Sequence, residues 1–171
     1  MDQTDKLDKI KFIFGSLFIL ANKLQVLGDN FLDEITTKQW FLLVMVGQFK
    51  DHYPTLSQVA SLMGSSHQNA KQIALKLEKK GLICIEKDTK DSRAIRLKLT
   101  PACYEYFEGR QGKDNEFLEE LFKDLNEMEI NTLAVGIHKI TERTGKIDPT
   151  LTTEKQGWIT NMFHNKGEEL K

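Results

Sequence analysis

The sequence predicts a mainly α-helical protein with one small β-hairpin. Through several long stretches, apolar residues recur at spacings of three and four, which is the pattern of a helix with one buried face. Prolines occur only at Pro54, Pro101 and Pro149, so few positions interrupt long helices. The segment from Ile95 to Leu99 alternates apolar and basic side chains, as a half-buried strand does. In chain order, these elements predict a winged helix-turn-helix extended by helices at both ends.

The composition is that of a globular protein, with 40% hydrophobic and 29% charged residues in a chain of 171. The apolar run from Phe12 to Ala21 has ten residues, fewer than a membrane span requires, and no basic leader typical of a signal peptide precedes it. We therefore expect a cytoplasmic protein without a membrane partner.

Residues that bind metals or catalyse reactions are sparse in the sequence. Two cysteines, Cys84 and Cys103, provide neither a disulfide framework nor a four-ligand zinc set, and the four histidines are scattered. No glycine-rich phosphate loop and no nucleophile motif occurs. We expect neither an enzyme nor a cofactor, although catalytic residues that are distant in sequence leave no motif.

The first predicted helix, residues 5–30, is apolar on more than one side, and Phe12, Ile19 and Leu20 widen its main stripe. Such a helix must be covered on several sides. It is either a central core helix or a helix shared between two subunits, and we favour the second because a terminal helix is seldom enclosed by its own domain.

Capping signals mark the next three helices. The pattern Thr-x-x-Gln at 36–39 opens a helix expected to reach about residue 50, and the same pattern at 55–58 opens a third helix. Gly64 suits the left-handed turn that ends the third helix, and Ser66 suits the N-cap of the fourth.

The fourth predicted helix, residues 67–80, has two contrasting sides. Its predicted buried stripe is Ala70, Ile73, Ala74 and Leu77, and its polar side carries Gln68, Lys71, Gln72, Lys76 and Lys79. Amide side chains pair with adenine edges, lysines reach guanine or phosphate, and a helix N-terminus with a hydroxyl at Ser66 suits phosphate contact. A plain amphipathic surface helix would have the same composition.

Charge is unevenly distributed along the chain. The formal net charge is −1, yet His67 to Lys98 contains nine Lys/Arg and four Asp/Glu, which is +5 against −6 for the remainder. A basic segment on an acidic body suits local contact with phosphates. A solvated helix face without a partner would also account for it.

The predicted hairpin follows this helix. One strand is expected over 82–86 and the other over 95–99, joined by a polar, flexible tip at 87–93. An exposed arginine on such a tip can enter a narrow minor groove, where the negative potential is strongest.

Two further helices are expected at the C-terminal end. Thr100 and Pro101 open a fifth helix to about residue 124, with a possible interruption near Gly109 and Gly112, and a sixth runs from Asn126 to about residue 145. Cys103 falls in the first turn, where a thiol pKa is lowered, but an inert buried cysteine is the preferred interpretation. Residues 146–171 are expected to form a weakly ordered tail or a short docking helix.

The sequence resembles the MarR-type winged-helix transcription regulators in four motifs. These are TTKQW (36–40), LEKKGLI (77–83), DSRAIRLKLT (91–100) and LNEMEINTLAVGIHKI (125–140). The third is similar to the wing signature of that family, an Asp-x-Arg followed by a strand that ends in Leu-Thr. The resemblance covers residues 5–145 and is most specific in the wing and its flanks.

The resemblance implies a homodimer joined by the first helix and the last two, with two recognition helices in successive major grooves of a pseudo-palindromic operator. It implies that Arg93 enters the minor groove and that Asp91 holds it. Ser92 stands where family members often carry a second basic residue, and the tail is longer than usual. A small aromatic or lipophilic effector, bound between the dimer helices and the DNA-binding lobe, is also implied.

The leading hypothesis is therefore a dimeric, sequence-specific regulator of transcription on double-stranded DNA, expected to repress and to act at the nucleoid. The expected organisation is dimerisation helix 1–35, DNA-binding domain 36–100, dimerisation helices 101–145 and tail 146–171. The alternative is a winged helix used for protein contact without specific DNA binding. The residues expected to contact DNA are Ser65, Ser66, His67, Gln68, Asn69, Lys71, Gln72, Lys76, Lys90, Asp91, Ser92 and Arg93.

Overall fold

The computed structural model describes residues 3–88, 91 and 93–147. Within these residues, six helices and one antiparallel hairpin are present, so the predicted fold class is confirmed. The helices are α1 (Gln3–Phe31), α2 (Thr37–Gly47), α3 (Leu56–Leu62), α4 (His67–Lys79), α5 (Pro101–Phe122) and α6 (Glu127–Ile147), and the strands are β1 (Ile83–Lys87) and β2 (Ile95–Leu99).

Local hydrogen bonds fix the starts of the helices. Both predicted capping boxes form, because the side chain of Thr36 accepts from the Gln39 backbone while Gln39 accepts from the Thr36 backbone, and Thr55 and Gln58 repeat the arrangement. The Thr100 side chain caps α5, whose first residue is a proline as predicted.

The core lies between α2, α3, α4 and the hairpin. The four apolar residues predicted for the buried stripe of α4 are all buried, and Leu42, Leu43 and Leu56 face them from α2 and α3. In the hairpin, Ile83 pairs with Leu99 and Ile85 with Leu97, so the apolar side chains share the face that packs on this core. The helical lobe and the hairpin are therefore one packed unit.

Two details of the predicted helices are wrong, the end of one and an interruption in another. Helix α2 ends at Gly47, three residues before its expected end, with the chain turning toward Pro54. Helix α5 runs through Gly109 and Gly112 without interruption. Glycine weakens a helix by only about 0.5–1 kcal/mol per residue, and a helix of 22 residues tolerates that loss when no proline removes a hydrogen bond.

Helix α1 is longer and more exposed than its central apolar run indicates. Within Thr4–Phe31, an 18-residue window has a mean hydropathy of 1.5, so by length and composition the helix could cross a membrane, contrary to the estimate from ten residues. The longer helix includes Val26 and Leu27 beyond Lys23, which the run to Ala21 left out.

The apolar stripe of α6 lies at the surface of the single chain. Ile130, Leu133, Ile137 and Ile140 are 39–45% exposed. Leu118, Leu121 and Phe122 of α5 are exposed as well, because no other part of the described chain covers them. Of the predicted tail, residues 148–171 lie outside the described residues.

Candidate nucleic-acid interface

The turn between α3 and α4 is closed by a Schellman motif. Gly64 adopts φ +61°, its N–H donates to the Ser61 carbonyl, and the Ser65 N–H donates to the Ala60 carbonyl at 2.9 Å. Residues other than glycine rarely adopt this conformation, so Gly64 sets the angle at which α4 leaves α3.

The N-terminus of α4 is organised by its own side chains. Ser66 accepts from the Asn69 backbone N–H at 3.2 Å, and the Asn69 side chain donates to Ser65 Oγ at 2.8 Å. At a helix N-terminus the first backbone N–H groups have no acceptor within the helix and point beyond its end, an arrangement that favours anions.

The remaining predicted contact residues of α4 all lie on its exposed side. Lys71, Gln72 and Lys76 are exposed, whereas Ala70 and Ile73, on the opposite side of the helix, are buried. The helix therefore separates a polar face of amides and ammonium groups from an apolar face that is fixed in the core.

Two contacts that the sequence pattern did not indicate fix the other end of α4. Glu78 Oε1 accepts from the Ile85 backbone N–H at 3.0 Å, which joins α4 to β1. Lys80 Nζ donates to the Glu34 carbonyl at 2.6 Å, which joins the helix end to the α1–α2 connection. Both bonds join different elements of the chain, so the periodicity within one element could not reveal them.

At the wing tip, Arg93 projects into solvent. Its side chain is 91% exposed, and its Nε lies 3.3 Å from Asp91 Oδ1. Asp91 Oδ1 also accepts from the Arg93 backbone N–H at 3.0 Å. The structure thus brings together the two residues that the wing motif pairs, while Lys90 and Ser92 lie outside the described residues.

Asp88, a residue of the predicted polar tip, does not face solvent. This residue is buried, and its carboxylate pairs with the guanidinium of Arg96. A charged group buried in a hairpin requires such a partner. Sequence reasoning missed the pair because alternation in β2 assigns Arg96 simply to the outer face.

A cavity of about 340 Å³ lies where α1, α2 and α5 meet. Its lining is almost entirely apolar and comprises Leu24, Gly28, Phe31, Leu32, Thr37, Trp40, Asp114, Phe117, Leu118, Leu121 and Phe122. The rings of Phe31 and Phe117 stack at 4.4 Å on its wall, and Arg110 lies over Phe31 at 4.9 Å.

Cys103 is buried at the start of α5, and burial raises the pKa of its thiol to about 11. The thiol is therefore protonated at neutral pH, which disfavours reaction with oxidants. Among the described residues, no group of three or more His, Cys, Asp or Glu is placed to hold a metal ion.

No protein-family model and no curated protein sequence matches the chain. Solved structures do match. A MarR transcriptional regulator from Methanosarcina mazei Go1 superposes with a TM-score of 0.72 at 17% identity, covering 81% of this chain and 99% of that chain.

Two further structures are similar. A MarR/EmrR family transcriptional regulator from Acinetobacter sp. ADP1 gives a TM-score of 0.69 at 18% identity over 80% of this chain and 96% of that one. The S. aureus MepR–DNA complex gives 0.67 at 20% identity over 77% and 97%. At these identities the similarity establishes the architecture, and the chain has the winged helix-turn-helix fold of the MarR-type transcriptional regulators.

Proposed function

We propose that the chain is a sequence-specific regulator of transcription that binds double-stranded DNA as a homodimer. The observation that carries this proposal is the exposed polar face of α4, on a helix fixed at both ends and followed by a hairpin that presents an exposed arginine. One protein with the same fold, S. aureus MepR, was solved as a complex with DNA.

In this proposal α4 enters the major groove. Ser65, Ser66 and the first N–H groups of α4 contact phosphate, while Gln68, Lys71 and Gln72 face base edges. Because the opposite face of the helix is buried, the helix cannot rotate to present other side chains. His67, Asn69 and Lys76 complete the contact surface.

The wing contributes a second contact, in the minor groove. Arg93 is exposed, and Asp91 restricts its guanidinium, so less side-chain entropy is lost when it binds. Lys90 and Ser92 belong to the same proposed contact surface.

The homodimer would form through residues 1–35 and 101–145, leaving residues 36–100 as the DNA-binding domain. Exposed leucine, isoleucine and phenylalanine side chains on α1, α5 and α6 are the surface that a second copy would cover. Two copies of α4 related by a two-fold axis would read a pseudo-palindromic operator. We place this activity in the cytoplasm, at the nucleoid, with repression as its direction.

The cavity between α1, α2 and α5 supports regulation by a small aromatic or lipophilic effector. It joins a helix assigned to dimerisation with the start of the DNA-binding domain, so a ligand there would alter their relative position. Adding 2-naphthoate as an aromatic probe should raise the unfolding temperature and weaken DNA binding. A probe that changes neither would count against effector control at this cavity.

The decisive experiment is fluorescence anisotropy on duplex DNA from upstream of the gene for this protein, with a random duplex as control, each over a salt series. Tight binding that exceeds the control and falls steeply with salt would support a sequence-specific regulator. Absence of binding even at low salt would favour the alternative, a winged helix that contacts protein.

A further inference from the structure

A buried carboxylate lies at the end of the hairpin. The side chain of Asp88 is only 4% exposed, and Arg96 Nε donates to its Oδ2. Arg96 stands opposite Glu86 in the register of the hairpin, yet its guanidinium turns to Asp88. Arg96 therefore pairs with Asp88 and not with Glu86, its neighbour across the ladder. The buried carboxylate of Asp88 requires this partner.

The same guanidinium joins the wing to the helical lobe. Arg96 Nη1 donates to the backbone carbonyl of Tyr53, and the next residue of the strand, Leu97, donates its N–H to the Pro54 carbonyl at 3.0 Å. Thr55, the N-cap of α3, forms a β-bridge with Arg96. Arg96 thus connects the hairpin to the segment from which the helix-turn-helix begins.

On its other side, Asp88 connects to the wing tip. Asp88 Oδ1 accepts the backbone N–H of Asp91 at 2.9 Å. Asp91 in turn accepts both the backbone N–H and the Nε of Arg93, at 3.0 and 3.3 Å. A continuous series of hydrogen bonds therefore runs from the Tyr53 carbonyl through Arg96, Asp88 and Asp91 to the exposed Arg93.

We propose that Arg96, acting with Asp88, is a positioning residue that sets the direction in which Arg93 leaves the wing. This inference rests on the proposed DNA-binding function. Arg96 already has two partners and is only 32% exposed on its side chain, so it acts on DNA through the wing arginine rather than by contact with phosphate. Wild-type affinity for DNA then requires an intact pair.

A double-mutant cycle tests the proposal. Affinity for duplex DNA from upstream of the gene is measured by anisotropy for the wild type, Arg96→Gln, Arg93→Ala and the double variant. Arg96→Gln should weaken binding about tenfold when Arg93 is present and less than about twofold when it is absent, because coupled residues depart from additivity. Lys98→Gln, which removes the same charge from the same strand, is the matched control.

Additive losses in the cycle would overturn the proposal. So would a salt dependence that falls by about one unit of log–log slope when Arg96→Gln is added to Arg93→Ala, since a loss without Arg93 marks a phosphate contact made by Arg96 itself. A Lys98→Gln variant that shows the same coupling to Arg93 would also overturn it, because the effect would then be one of charge alone.

Hydrogen exchange of the free protein separates failure of this inference from failure of the proposed function. In Arg96→Gln the Asp91 amide, which donates to Asp88, should exchange at least several times faster than in wild type and in Lys98→Gln, while amides within α2 keep their rates. If the wild type binds no DNA, the proposed function fails and this measurement decides the positioning role. An unchanged Asp91 rate would overturn it.

Discussion

Arg93 combines high exposure with a fixed partner, a combination that suits an arginine reserved for a ligand rather than for stability. Its ion pair with Asp91 lies in solvent, where such pairs contribute little to folding, typically about 0–1 kcal/mol. Replacing Arg93 should therefore leave the fold almost unchanged. Any large effect of its removal on DNA binding must therefore come from a lost contact with the DNA.

We expect Arg93→Ala to weaken binding to operator DNA by about 1–3 kcal/mol, which is roughly five- to 150-fold. Anisotropy measures the loss, and circular dichroism with light scattering checks that the fold and the oligomer persist. Arg143→Ala, which removes an exposed arginine from α6, serves as the control. Unchanged affinity in Arg93→Ala would show that the wing assignment is wrong.

Gly28 lies at a close contact between α1 and α2. A β carbon at this position would lie 2.5 Å from Oγ1 of Thr37, which itself donates to the Gln25 carbonyl at 3.0 Å. Gly28→Ala should destabilise the protein by about 1–3 kcal/mol, as overpacking does, measured by urea unfolding. Gly109→Ala, with nothing within 4 Å, should instead stabilise it by roughly 0.5–1 kcal/mol. Equal stability of both variants would contradict the close contact.

Asp29 makes this junction sensitive to acid. The backbone N–H of Thr37 donates to its Oδ1 at 2.6 Å, and this bond is the main cause that lowers the pKa of the carboxyl below 3.8. The stabilisation is present above pH 3.8 and is lost as the pH falls through the lower pKa of the folded state, because the unfolded chain takes up the proton first. Asp29→Asn should be less stable than wild type at neutral pH, and the difference should shrink in acid. A constant difference across a urea-unfolding pH series would refute this.

At the scale of the element, α4 has a polarity that its caps and packing fix together. Schellman motifs at Gly64 and Gly81 set its entry and its exit, and Leu82 packs into the core just beyond it. A helix held in this way presents one invariant set of side chains, which base readout requires.

Substitutions on this face should change sequence preference. Lys71→Ala and Gln72→Ala should each reduce the ratio of operator affinity to random-DNA affinity. Where a base contact is lost, the free energy of discrimination should fall by about 1–3 kcal/mol. Arg96→Ala should change this ratio less, since the wing contributes contacts that are largely independent of sequence. Gln111→Ala, exposed on α5, is the control. Equal losses on both duplexes would mean that α4 does not read bases.

At the scale of the whole molecule, the single chain leaves more apolar surface open than a monomer usually does. Phe14 and Phe18 of α1 are 65% and 62% exposed and pack on each other at 5.1 Å. Exposed apolar side chains continue on α5 and α6. Either a second copy or another apolar environment must cover them.

Light scattering at micromolar concentration should give twice the chain mass of 19.7 kDa. The double variant Phe14→Glu, Phe18→Glu should shift the protein toward the monomer, because buried carboxylates without partners are costly. Lys23→Glu makes the same change in net charge on the same helix and should remain dimeric. A wild type that is monomeric, or that floats with lipid vesicles, would exclude the dimer assignment of α1.

Local patterns in the amino-acid sequence predict the elements and most of the proposed recognition surface. The capping boxes join residues three apart, Gly64 lies two residues beyond the last residue of α3, and the alternation in β2 repeats every two residues, so the local pattern contains the cause. The same holds for the buried and exposed sides of α4, since helical periodicity assigns them directly.

The meeting points of distant groups depend instead on how the elements pack. The bond between Arg96 and Tyr53 spans 43 residues, and the approach of Gly28 to Thr37, the burial of Asp88 and the cavity beside Phe31 likewise join separate elements. Such contacts carry no periodic signature, because they depend on how finished helices pack rather than on which residues form them. For the same reason, only the packed structure shows that apolar side chains of α5 and α6 lie at the surface of the single chain.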